Sequence, residues 1–175
     1  MKVTLYMVTT PNGMISKPND NLSFINDFEW QGIMKKAYDI GNCVMGRHAY
    51  ESLLRKGKFP YNCLNVVMTK SKIKAASKSN KWPDKVIFTN KGPKQVIEML
   101  KEKGFEEVLL VGGGMLNASF MKQGLVDEIV LNVAPEVFTN GTRLFEGRDF
   151  YSKLKLLEAR QVSSEDVQIR YKVEK

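Results

Sequence analysis

Twice in this chain an apolar run ends in glycine and opens at once into a helical pattern. The two junctions are Cys43-Val44-Met45-Gly46-Arg47-His48-Ala49 and Val108-Leu109-Leu110-Val111-Gly112-Gly113-Gly114-Met115-Leu116. A strand-to-helix turn of this kind gathers unpaired backbone N–H groups and the positive end of a helix dipole at one point. The missing side chains let an anion approach the main chain closely. Two such junctions at the same end of one sheet can grip both ends of a dinucleotide, a span that neither covers alone.

The rest of the chain supplies that sheet. Strand-like runs fall at 3–10, 42–45, 64–69, 85–88, 107–111 and 127–135, and β-type alternation returns at 167–173. Helical spacing fills several gaps, at 29–39, 48–55, 95–103 and 115–123. Alternating strands and helices predict a mostly parallel sheet covered on both faces, with ligands at the carboxyl ends of its strands. After Pro135 the rhythm breaks, with turn chemistry at Thr139-Asn140-Gly141 and a further segment at 150–159. A C-terminal antiparallel hairpin closing one sheet edge accounts for it. No linker or repeat divides residues 1–175, so one α/β domain with three α/β/α layers is the expectation.

At 175 residues the chain can bury about 70% of the surface its unfolded form exposes, so no metal or disulfide staple is required. Cys43 and Cys63 lack CxxC or zinc-type spacing and are expected as buried free thiols of a reducing, cytoplasmic compartment, with no metal site. The first eight residues carry one charge and too short an apolar run for a signal peptide or a membrane span. The net charge is +8, and between Lys70 and Lys94 the only acid is Asp84. That asymmetry suits a solvated face, a counter-charge for an anionic cofactor or a nucleic-acid surface. No nucleic-acid motif accompanies the lysines, so no nucleic-acid partner is expected.

Arg47 and His48 add donors to the first junction, and Thr69-Lys70-Ser71 ends the next strand with the same chemistry. Together they suit a 2′-phosphate. In Asn26-Asp27-Phe28-Glu29-Trp30-Gln31-Gly32-Ile33, two carboxylates open a helix beside large apolar side chains. Acids there serve the helix dipole, or one faces an apolar pocket with a raised pKa and handles a proton near neutrality. Glu29, beside Trp30 and Ile33, suits that second role better than Asp27. GxSxG, HExxH and GxxxxGK[ST] are absent, which leaves hydrolase, zinc-protease and P-loop chemistry without residues and hydride transfer as the best match.

These junctions, with the opening Val8-Thr9-Thr10-Pro11-Asn12-Gly13-Met14-Ile15, closely resemble dihydrofolate reductases over nearly the whole chain. From Gly112 onward, Leu125-Val126-Asp127-Glu128-Ile129-Val130-Leu131-Asn132-Val133-Ala134-Pro135 and Gly141-Thr142-Arg143-Leu144-Phe145-Glu146-Gly147 are more similar to the riboflavin-biosynthesis pyrimidine reductases. Both resemblances imply one fold and NADPH.

Carried over by position, the resemblance implies that Val8 and Ile15 line a nicotinamide. It puts Gly46, Arg47, His48, Thr69, Lys70 and Ser71 around the adenosine phosphates, and Val111, Gly112, Gly113, Gly114, Met115 and Leu116 at the pyrophosphate. Glu29 takes the place of the catalytic acid, with Asp27 as the alternative register. Tyr6, Val8, Trp30, Ile33, Tyr50, Leu53 and Asn132 would contact the substrate. The folate family's tail-binding arginine is replaced by Cys63 and Leu64, with Arg55, Lys56 or Lys58 as substitutes. The implied activity is reduction of dihydrofolate to tetrahydrofolate. The alternatives are reduction of a ribosylaminopyrimidine phosphate held by Arg143 and nearby lysines, or a relative that binds nucleotide without turnover. Folate enzymes of this fold imply a monomer and pyrimidine reductases a homodimer.

Overall fold

The computed structural model describes residues 1–70 and 81–175. Ser71 and the rest of residues 71–80 in the lysine-rich stretch lie outside the described residues. Eight strands form one sheet in the order β5-β4-β3-β6-β1-β7-β10-β9. They are β1 (Lys2–Thr9), β3 (Asn42–Gly46), β4 (Leu64–Met68), β5 (Val86–Thr89), β6 (Glu107–Leu110), β7 (Glu128–Val133), β9 (Leu154–Gln161) and β10 (Val167–Val173). The pairings from β5 to β7 are parallel, while β10 runs antiparallel to both β7 and β9. The expected edge hairpin is therefore present.

Among the described residues four α-helices cover the sheet: α1 (Asp27–Ile40), α2 (Arg47–Arg55), α3 (Pro93–Glu102) and α4 (Gly114–Lys122). The strands alternate between two apolar clusters, as a pleat of period two requires. Tyr6, Val8, Cys43, Met45, Val67, Leu109 and Val111 face α1 and α2 with Trp30, Ile33, Ala37 and Leu53. Val3, Leu5, Val44, Val66, Val108 and Leu110 face α3 and α4 with Val96, Leu100, Phe120 and Met121. Three layers follow directly from that alternation.

One element was not expected from the sequence. A two-stranded antiparallel sheet joins β2 (Met14–Ser16) to β8 (Thr142–Arg143), pairing Met14 with Arg143 and Ser16 with Thr142. Three- and two-residue strands carry too little periodicity to be read locally. The pairing holds the 139–143 turn against the loop after β1, where Leu144 N–H also donates to the Gly13 carbonyl at 2.8 Å. The thiols also depart in part from expectation, since Cys43 is buried but Cys63 is only partly so.

The start of α1 is closed by a reciprocal cap. Asn26 Oδ1 accepts from Glu29 N–H at 2.9 Å, and Glu29 Oε2 accepts from Asn26 N–H at 2.9 Å. This capping box satisfies two orphan donors of the first turn. Glu29 is fully buried, and its other oxygen, Oε1, has no hydrogen-bond partner among the described residues. Burial pushes the Glu29 carboxyl up to about 7, despite the Asn26 hydrogen bond that favours the charged form.

That shift has a sign for stability. Below pH 4.5 the carboxyl is protonated in both states; between 4.5 and about 7 the unfolded chain ionises while the folded protein keeps its proton. Stability should fall across that window, by up to about 3 kcal/mol, and then level off. Glu29→Gln keeps an oxygen for the cap and removes the titration, so the decline should flatten in urea melts at pH 5 and pH 8. An unchanged slope would show that Glu29 does not carry it.

Candidate cofactor and substrate cavity

The two glycine junctions end neighbouring strands. β3 pairs with β6, placing Cys43 opposite Leu109 and Val44 opposite Leu110, and Gly46 N–H donates to the Gly112 carbonyl at 2.8 Å. The N-termini of α2 and α4, with Gly46 and Gly113 as their first caps, therefore open side by side. Gly112 adopts φ +95°, a left-handed conformation that favours glycine, and its peptide bond to Gly113 is cis. A Cβ on Gly113 would meet nothing within 4 Å, so the main chain there is uncovered. Gly114 is the opposite case, because a Cβ would collide with the Arg143 carbonyl of β8.

A cavity of about 690 Å³ opens over these junctions and runs between α1, α2 and the carboxyl ends of the strands. Of the positions implied for cofactor, Val8, Ile15, Gly46, Arg47, His48, Thr69, Lys70, Val111, Gly113, Gly114, Met115 and Leu116 line it. Of those implied for substrate, Tyr6, Val8, Trp30, Ile33 and Leu53 do. Gly112 contributes through its carbonyl to Gly46 and is not part of the wall.

Three implied contacts stand elsewhere. Tyr50 packs edge-on between Phe59 and Phe88, at 4.8 and 5.3 Å between ring centroids. Asn132 lies behind the wall, where its Nδ2 donates to the Tyr6 hydroxyl at 3.2 Å and its Oδ1 accepts from Gln168 at 2.9 Å. Glu29 is turned into the capping box, although its helical neighbours Trp30 and Ile33 reach the cavity. The raised pKa anticipated for Glu29 is present, while the expected exposure to a pocket is not. Asp27, the alternative acid, has a side chain 91% exposed and lies 3.8 Å from Lys58.

The Tyr6 hydroxyl is the end of a directed chain. Arg160 donates to Gln168 Oε1 at 3.0 Å, and Gln168 Nε2 in turn donates to Asn132 Oδ1 and, at 3.4 Å, to Tyr6. Burial holds the Tyr6 hydroxyl above the usual phenol range, assisted by the negative charge of Glu29.

Several lining residues escaped the sequence reading. Asn90, Lys91, Gly92 and Pro93 form a third strand-to-helix junction, between β5 and α3, where Gly92 caps and Pro93 takes the first turn. The Gly-Pro pair after an apolar run was the available signal. Asp20, Ser52, Tyr61, Glu146 and Arg148 also line the cavity. Arg143, expected near a sugar phosphate, is exposed and outside this wall, so Arg148 is the arginine of that segment that reaches the cavity. Arg47, Lys70, Lys91 and Arg148 set four cationic side chains against the carboxylates of Asp20 and Glu146 in the lining. Arg47 is shared with Glu51 at 2.8 Å and with the His48 ring at 2.9 Å. Among the described residues no cluster of His, Cys, Asp and Glu could hold a metal ion, and no helix is long and apolar enough to cross a membrane.

Comparisons with known proteins agree with this architecture. Protein YwjB of Bacillus subtilis is 26% identical over 97% of both chains. The crystal structure of a putative riboflavin biosynthesis protein from a Shewanella species covers all of both chains with a TM-score of 0.84 at 22% identity. A Thermotoga maritima diaminohydroxyphosphoribosylaminopyrimidine deaminase/5-amino-6-(5-phosphoribosylamino)uracil reductase matches over 98% of this chain and 56% of its own, with a TM-score of 0.76 at 15% identity. The expected three-layer fold is borne out. The family match falls on the pyrimidine-reductase side of the two resemblances, and none of these findings supports dihydrofolate reduction. It spans residues 53–169, well over half the sequence. By that match, the chain belongs to the RibD C-terminal domain family.

Proposed function

We propose that this chain is an NADPH-dependent reductase of a ribosylaminopyrimidine phosphate, acting in place of the dihydrofolate reductase first implied. The observation that carries the reading is one cavity joining two adjacent helix N-termini, with open main chain at Gly113, to an apolar pocket walled by Trp30, Ile33 and Leu53. The substrate class comes from the family and from the printed name of the Thermotoga maritima enzyme.

The cavity residues suit such a cofactor. The open main chain at Gly113 is the place for a pyrophosphate, stabilised by the N-terminal ends of α2 and α4. Lys70, with Thr69 and Arg47, would face the 2′-phosphate, and Val8 and Ile15 would flank the nicotinamide. Bound NADPH would supply the hydride. Trp30, Ile33 and Leu53 exclude water from the accepting carbon, which strengthens every electrostatic interaction there. Two buried polar atoms of lining residues, Trp30 Nε1 and Ser16 Oγ, have no partner among the described residues, which suits a polar heterocycle. The carboxyl groups in the described lining are Asp20 and Glu146, so a proton handled by a side-chain acid passes through one of these, with Glu29 supporting the wall from behind.

Two measurements test the reading. NADPH should bind with nucleotide fluorescence quenching. Lys70→Ala should weaken NADPH about tenfold and leave NADH unchanged, as expected for loss of one phosphate contact. Gly113→Ala should weaken both cofactors, with the fold retained by circular dichroism. In turnover, 5-amino-6-(5-phosphoribosylamino)uracil should oxidise NADPH and dihydrofolate should not, and Glu29→Gln should keep kcat within several-fold at pH 7. Turnover with dihydrofolate alone, or a hundredfold loss in Glu29→Gln, would overturn the assignment.

A further inference from the structure

Cys43 and Cys63 are the two nucleophilic side chains that the proposed reaction leaves unused. In the register of β3 and β4, Cys43 stands opposite Asn65. Cys63 is two residues earlier, and a regular parallel strand would carry it about 6.6 Å further along and about 4.8 Å across. The backbone does not extend there. Cys63 N–H donates to the Tyr61 carbonyl at 2.8 Å, which curls the turn and brings the two sulfurs to 3.7 Å.

Asn65 holds this arrangement together. Its Oδ1 accepts from the Cys43 thiol at 3.4 Å and from Tyr61 N–H at 3.1 Å. Its Nδ2 donates to the carbonyls of Tyr61 at 2.9 Å and Cys63 at 2.7 Å. Cys43 is fully buried, Cys63 is partly exposed, and Tyr61 lines the cavity.

We propose that Cys43 and Cys63 form a redox modification site, in which Cys63 is the entry thiol, Cys43 resolves, and closure of the disulfide displaces the Tyr61 wall of the cavity. The oxidant is a small-molecule disulfide. The Cys63 thiolate attacks one of its sulfurs, expelling one small thiolate and leaving a mixed disulfide on Cys63. Cys43 gives its proton to that expelled thiolate, attacks the Cys63 sulfur, and releases the second small thiolate. The protein loses two electrons and two protons, and the oxidant becomes two thiols.

Partial exposure makes Cys63 the accessible partner, while burial and the neighbouring Cys63 sulfur hold the Cys43 thiol above its usual range, so it reacts second. Closing the gap to a bond of about 2.05 Å draws the sulfurs together by about 1.6 Å. It also removes the Cys43 proton from Asn65. Both changes fall on the turn that carries Tyr61.

The site can be tested without reference to any cavity ligand. Reduced protein is incubated with oxidised glutathione and then alkylated. The expected product has lost two hydrogens, carries no alkylated cysteine and yields one cross-linked peptide pair containing Cys43 and Cys63. Cys43→Ser should stop at the glutathione adduct on Cys63, and Cys63→Ser should remain unmodified. Hydrogen exchange at the Tyr61 amide should be at least tenfold faster in the oxidised protein. Two alkylatable thiols after incubation, or a glutathione adduct that persists in the unsubstituted protein, would overturn the site; unchanged Tyr61 exchange would overturn its coupling to the cavity.

Discussion

The cavity depends on the pairing of β3 with β6, two strands that lie far apart in the chain. Only their parallel register, Cys43 to Leu109 and Val44 to Leu110, brings Gly46 beside Gly112 and lets the 2.8 Å bond between them form. A slip of one residue would exchange the faces of Leu109 and Leu110, which now bury into opposite clusters. Hydrophobic burial on both faces of the sheet thus sets the position of two helix N-termini that have no direct contact with most of it.

The interior is less uniformly apolar than that register requires. Behind the cavity wall, Arg160, Gln168 and Asn132 form a chain of donors ending on the phenol of Tyr6 in the wall, and Glu29 stands nearby with one oxygen in the helix cap and the other without a partner among the described residues. Asn26 ties this region to the C-terminal hairpin, because its Nδ2 donates to buried Asp166 at 3.1 Å. Burial raises the Glu29 carboxyl, and the negative charges of Asp166 and Glu136 add to that rise. The start of α1, and with it the placement of Trp30 and Ile33 in the cavity, is consequently fixed by polar groups contributed from distant parts of the chain.

The same division separates the two glycine junctions from the acid. Gly46 and Gly112-Gly113-Gly114 were readable because glycine at the end of an apolar run has a local backbone meaning, and both junctions fall at strand-to-helix turns. The Gly92-Pro93 junction had the same signature, and its weight became evident only from its place in the cavity wall. Glu29 was readable as a buried, elevated carboxyl from its apolar neighbours, but the direction of its side chain was not. Helical spacing cannot distinguish a carboxylate that reaches forward into a pocket from one that folds back three residues onto a cap.

Local periodicity, glycine placement and the turn after Pro135 therefore determined, from the sequence by itself, a doubly covered parallel sheet with an antiparallel edge and anion-receptive turns at its strand ends. Those features depend on backbone conformation and alternating burial, which neighbouring residues dictate. Tertiary structure alone decided that Tyr50, Asn132 and Glu29 stand outside the cavity wall, that β2 and β8 pair, that Arg148 rather than Arg143 faces the cavity, and that two cysteine sulfurs meet at 3.7 Å. Each of these is a contact between segments remote in the chain, set by the sheet register and by which polar partner each side chain finds.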